Sequence, residues 1–273
     1  MNTIELNILL PALIAGLLVL ATHIPLGMKV LERGVIFADL AVAQIAGLGI
    51  VIAALLDLTE QPLLVQLIAA ASALCGAALL ALIEHYLAEV KEACIGLTFV
   101  LAACGGILLM SRDVHAGEHL KDLLVGQILW VSTNQLIATA LLTAVLLALW
   151  QWSKLKTHNL GFYTLFALAV TASVQLVGVY LVFASLIIPA LATYRISHRR
   201  THYAFAVGIT GYAIGLMLSA WFDLPSGAAV VWAMAGTGIL TAWLLSYILK
   251  GQVVSQGNVM NLISTTSRER KSS

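Results

Sequence analysis

Residues 33–56 read RGVIFADLAVAQIAGLGIVIAALL. After the arginine the stretch is apolar for about the width of a bilayer. It nevertheless carries a carboxylate, Asp39, with an amide, Gln44, a little over one helical turn further on. About 20 apolar residues are what a helix needs to cross a ~30 Å hydrocarbon core. Such stretches recur from end to end of the 273 residues, of which 61% are hydrophobic and 10% charged, with a mean hydropathy of +0.99. A water-soluble domain carries roughly 25% charged residues. The pattern predicts an all-α polytopic helical bundle in a membrane. The first stretch follows Met1–Asn7 with no basic segment and no small-residue cleavage site, so it reads as a retained helix.

Candidate spans are 8–28, 34–56, 62–86, 93–111, 133–152, 161–176, 178–194, 203–222 and 226–249. Residues 161–194 fit either one long kinked helix or a hairpin of two short ones turning near Gly178, so the count is eight or nine. Charge favours nine. Lys29, Arg33, Lys91, Lys154, Lys156, Arg195, Arg199 and Arg200 sit in alternate turns, whereas the turns at 57–60 and 223–225 carry acids and no base. Basic loops stay cytoplasmic, and the 154–156 and 195–200 loops share a side only if the chain between them crosses twice. That places the N-terminus outside and the C-terminus in the cytoplasm. Residues 1–250 form one membrane domain, and 251–273 are expected to be a disordered cytoplasmic tail. Residues 113–131 then fall outside, polar first and apolar after, as in an interfacial helix, with Trp130 at headgroup level. Gly211 and Gly215 mark close helix packing. Cys75, Cys94 and Cys104 show no metal-ligand spacing and read as small packing residues. The net charge of +1 gives no reason to expect a nucleic acid partner.

An ionised carboxylate at bilayer depth costs about 2.5–3.5 kcal/mol, so Asp39 either makes a structural hydrogen bond or faces a polar path. If the first two spans turn about residue 31, His23 and Asp39 lie at equal depth and face each other. Imidazole and carboxylate together suit a divalent ion such as Zn²⁺ or Mn²⁺. His115 and His119, at i and i+4 with Glu118 beside them, form a second candidate metal contact or simply a solvated face. Glu84 and His85, near Glu89 and Glu92, read as interfacial polarity. Phosphate-binding Gly loops, HExxH and nucleophile elbows are all missing from the sequence. A conduit fits these residues better than a catalyst.

Several stretches, in order, resemble permease subunits of the ABC importers for zinc, manganese and iron. LERGVIFADLAVAQIAGLGI (31–50) resembles the block in which an Arg-containing turn leads to an Asp and, four residues on, a His. KEACIGLTFVLAACGGILLMS (91–111) is similar to the family's acidic, Ala-Ile-Gly segment, and HLKDLLVGQILWVS (119–132) to its Leu-Phe-Gly-x-Ile-Leu block. QLVGVYLVFASLIIPALATYRI (175–196) resembles the Val-Gly-x-x-Leu…Ile-Ile-Pro-Ala segment, and DLPSGAAVV (223–231) the turn before the last helix. The resemblance implies a type II ABC importer permease fold in a bacterial inner membrane. It also implies a second permease subunit (a homodimer), two cytoplasmic ATPase subunits and an external metal-binding protein. No cofactor is held permanently, and the transported Zn²⁺ or Mn²⁺ is cargo.

On this resemblance Asp39 is the metal-contacting acid. The His expected after it falls at Ala43, and Gln44 is rotated by 100° from that position, which leaves His23 as the candidate imidazole. His115, Glu118 and His119 become a possible external handover site. The ATPase is expected to dock at QWSKLKTHNLGFY (151–163), shorter and more basic than is usual, and at 195–202, through Lys154, Lys156, His158, Arg195, Arg199 and Arg200. The alternative is an ion-coupled secondary transporter using Asp39 without any ATPase. A membrane enzyme would need a cluster of acids or histidines at one face, and only Glu84–Glu92 comes near that.

Overall fold

The computed structural model describes residues 3–56, 58, 61–110, 128–152, 158–196 and 199–245. Among these are α1 (Thr3–Arg33), α2 (Ala38–Leu55), α3 (Pro62–Tyr86), α4 (Lys91–Met110) and a 3-10 turn at Ile128–Trp130. They are followed by α5 (Thr133–Trp152), α6 (Asn159–Val177), α7 (Val179–Ala192), α8 (Arg200–Phe222) and α9 (Ser226–Leu245). Seven of these are long and apolar enough to cross a membrane, and α7 is a shorter apolar helix. The all-α membrane bundle expected from the sequence is the fold observed.

Local chemistry sets the helix ends. At Gly34, with φ +65°, the chain leaves α1 through a Schellman turn. Val35 N donates to Val30 O at 3.2 Å and Gly34 N to Leu31 O at 3.3 Å. Val30 and Val35 are both fully buried, supplying the apolar contact that accompanies this motif. Ser132 and Gln135 form a capping box at the start of α5, with Ser132 N donating to Gln135 Oε1 (2.9 Å) and Gln135 N to Ser132 Oγ (3.3 Å). Trp130, just before it, is 78% exposed.

Glycines let the backbones close. A Cβ on Gly27 would stand 2.0 Å from the Leu186 carbonyl oxygen, so α1 and α7 touch main chain to side-chain-free main chain. Gly211 and Gly215 of α8 meet Met234 Cα and Val230 Cα of α9 at 2.7 and 2.3 Å in the same sense. The small-residue spacing read from the sequence is therefore a helix contact. The cysteines differ from expectation: only Cys94 packs against the core, while Cys75 and Cys104 lie on exposed helix faces.

The direction of each helix follows from which ends meet. Arg33, ending α1, bonds Glu84 near the end of α3 and Asn159 at the start of α6, and Lys91 opening α4 reaches the Arg33 carbonyl. Arg200, opening α8, reaches the Ala190 carbonyl near the end of α7 and Glu32 on α1. The start of α6 and the end of α7 therefore lie at one end of the bundle, and the chain travels out and back between them. Its reversal is a single residue, Gly178, at φ +84°, ψ 161°, a conformation essentially reserved for glycine. From there α7 diverges to pack chiefly on α1. All the lysines and arginines among the described residues collect at this same end of the bundle, which we call the basic face.

Candidate functional site

Asp39 is the second residue of α2 and 1% exposed. Its Oδ1 has no hydrogen-bond partner among the described residues. A buried polar atom without a partner costs about 1–3 kcal/mol, and more when charged. Its position at a helix N-terminus returns part of that cost, since the helix dipole favours an anion there. Ala43, one turn on, is 4% exposed and offers no donor atom, while Gln44 beside it is half-buried.

His23 is fully buried in α1. Its Nδ1 lies 3.0 Å from the Val19 carbonyl oxygen and 3.0 Å from Thr22 Oγ1, whose own hydroxyl donates to that carbonyl at 3.1 Å. With Nδ1–H donating to Val19, the lone pair sits on Nε2, which has no partner among the described residues. A carbonyl fixing one ring nitrogen and leaving the other bare is the arrangement in which an imidazole can donate its free lone pair to a metal ion or accept a hydrogen bond.

The structure does not bring these two residues together. α1 continues to Arg33, five residues beyond the expected end of the span, and the turn is centred between Gly34 and Phe37. Asp39 thus lies within about one turn of the basic face, whereas His23, ten residues before Arg33, lies about 15 Å along α1 from it. Furthermore, α2 packs on α3, α4 and α6, not along α1. The mirrored depth expected for His23 and Asp39 fails because it assumed a turn at residue 31. No three His, Cys, Asp or Glu side chains among the described residues converge to hold a metal ion.

The other expected positions divide into two groups. His115, Glu118, His119, Lys154 and Lys156 lie outside the described residues. His158, Arg195 and Arg199 are exposed on the basic face, and Arg200 is partly covered, its guanidinium 5.8 Å above the Tyr194 ring.

A polar clamp not anticipated from the sequence closes the basic face. Arg33 Nη1 donates to both Glu84 oxygens, at 3.1 and 2.8 Å, and to Asn159 Oδ1 at 2.9 Å. The guanidinium also stacks 4.4 Å from the Phe162 ring centre. The Arg33 and Glu84 side chains are only 10% and 13% exposed. Glu92 accepts from Phe37 N at 3.2 Å, tying the residue just before α2 to α4. The sequence marks Arg33 as a basic turn residue leading to Asp39 and Glu84 as interfacial polarity, and does not pair them. The signal available was that both stand at helix ends on one side of the bundle, where polar residues can meet.

Two curated relatives share part of this chain. Over 146 residues, 45% of the chain, it is 28% identical to a Haemophilus influenzae protein named a probable iron transport system membrane protein. Over 185 residues, 59% of the chain, it is 25% identical to a Chlamydia trachomatis protein named a probable metal transport system membrane protein. The alignments span 54% and 61% of those proteins' lengths. The fold is that of a solved structure, PsaBC from Streptococcus pneumoniae in complex with Fab, with a TM-score of 0.66, 21% identity, and coverage of 86% of this chain and 89% of that one. The model of the ABC 3 transport family matches residues 5–157 and 153–246, running through α1 to α9, and the chain belongs to that family.

Proposed function

We propose that this chain is the transmembrane permease subunit of an ATP-driven importer for a divalent metal ion, Zn²⁺ or Mn²⁺, in a bacterial inner membrane. The observation that carries the reading is Asp39, a buried carboxylate with one oxygen unpartnered at the first turn of a spanning helix in a transport-family chain. The names of the two relatives, one for iron and one for metal transport, support a metal cargo. Two such subunits form the path. An external binding protein delivers the ion, with His115, Glu118 and His119 assisting. Two ATPase subunits dock on the basic face at His158, Arg195, Arg199 and Arg200, with Lys154 and Lys156 of the preceding segment also contacting them. Asp39 meets the ion near that face and Gln44 lies beside it. His23, much deeper along α1, offers its Nε2 at a separate level. A site with fewer than three protein ligands holds an ion weakly, which suits passage better than storage.

The test is uptake of Zn²⁺, Mn²⁺ and Fe²⁺ by proteoliposomes holding the chain with its ATPase, for wild type, Asp39→Ala and His23→Ala. ATP-dependent uptake lost in Asp39→Ala, with the complex still assembled, supports the reading. Uptake driven by a proton gradient without ATP would replace it with the ion-coupled secondary transporter. Normal uptake in Asp39→Ala would make that residue structural.

A further inference from the structure

The two chain segments proposed to meet the ATPase return to the bundle at Asn159 and Arg200, and both returns are fastened to neighbouring residues at the end of α1. We propose that this Glu32–Arg33 end is the coupling relay of the subunit, with Arg33 as the positioning residue that carries movement of the α6 start to α2 and Asp39. The proposal rests on the ATP-driven reading given above.

One guanidinium nitrogen holds three helices: α1 through its own residue, α3 through Glu84, and α6 through Asn159. The Arg33 carbonyl accepts from Lys91 and so adds α4. Movement has a short route onward. Only residues 34–38 separate Arg33 from Asp39, and they are not slack. Gly34 is locked by the Schellman bonds, Val35 and Ala38 are fully buried, and Phe37 N is held by Glu92. A shift of Asn159 therefore acts on Arg33, and a shift of Arg33 on the start of α2. The Arg200–Glu32 contact, at 3.9 Å with Glu32 half exposed, is the weaker second strap.

A pure staple would explain Arg33–Glu84, because breaking a buried ion pair strands a charge. Asn159 satisfies the same guanidinium, and its place sets it apart: it carries the clamp to the first residue of α6, where the chain leaves the proposed docking loop.

The experiment uses the complete transporter in proteoliposomes, with ATP hydrolysis and Zn²⁺ or Mn²⁺ uptake measured together for Asn159→Ala and Asn159→Asp. Melting temperature and co-purifying ATPase are measured alongside. In Asn159→Ala the metal moved per ATP should fall about tenfold, the worth of one hydrogen bond to a charged group. The complex should stay assembled and melt only about 3–6 °C below wild type, the cost of the lost hydrogen bond itself. Asn159→Asp keeps the acceptor and should restore the ratio. An unchanged ratio in Asn159→Ala overturns the relay. So does a fall in uptake matched by loss of ATPase from the complex, which would make Asn159 a structural residue. Wild-type protein showing no ATP-dependent uptake overturns the function proposed above, and the relay with it.

Discussion

Gly27 offers the sharpest test of how α1 and α7 meet. An added methyl group there would stand 2.0 Å from the Leu186 carbonyl oxygen and 2.9 Å from its carbon. Real Cβ contacts do not close below 3.0 Å, so the helices would have to part by about 1 Å. The obstacle is main chain and has no rotamer to turn away. Overpacking costs roughly 1–3 kcal/mol, and this geometry belongs at the upper end. Alanine returns about 1 kcal/mol through helix propensity. The net loss is about 2 kcal/mol, or roughly 4–8 °C at about 2–4 °C per kcal/mol for a chain of this size. The matched control is Gly96→Ala in α4, where nothing lies within 4 Å and the propensity gain stands alone. Thermal unfolding of the detergent-solubilised protein should show Gly27→Ala melting below wild type and Gly96→Ala at or slightly above it. Equal melting of the two variants would refute the close approach of α1 and α7.

Other variants probe other joints by the same melting assay. Gly178→Ala should cost about 1–3 kcal/mol, because its φ of +84° and ψ of 161° strain any residue with a Cβ; wild-type melting would mean that α6 and α7 are not joined by that conformation. Ser132→Ala removes the capping box that opens α5 and should cost about 1 kcal/mol, with no change counting against the cap. Arg33→Ala and Glu84→Ala should each destabilise strongly. Their double mutant should lose less than the sum, with a coupling on the order of 1.5–3 kcal/mol, and simple additivity would show that the two charges do not meet.

The bundle was legible in the sequence because its causes are local. Twenty apolar residues in a row make a span whatever surrounds them, and Gly211 and Gly215 announce a close helix contact by spacing alone. The alternation of basic and acidic turns also resolved residues 161–194 into two helices. Only an out-and-back path brings both Asn159 and Arg200 to the end of the bundle where Arg33 lies.

The site was less legible, because depth is a relation between elements and an error in one helix end spreads to every pair built on it. Lys29, Glu32 and Arg33 look like the polar stop of a span ending near residue 28. Instead the helix runs through them, with Lys29 and Glu32 paired one turn apart at 3.1 Å, and stops only where Gly34 allows a left-handed residue. Those five extra residues moved the turn, put Asp39 next to the basic face and separated it from His23. The same residues made the Arg33 clamp possible, since a helix ending at residue 28 could not have carried a guanidinium to both Glu84 and Asn159. The charges that read as the edge of the membrane domain are thus the joint that ties α1, α3, α4 and α6 together. For this chain, the glycine after a run of charges locates a helix end better than the charges themselves.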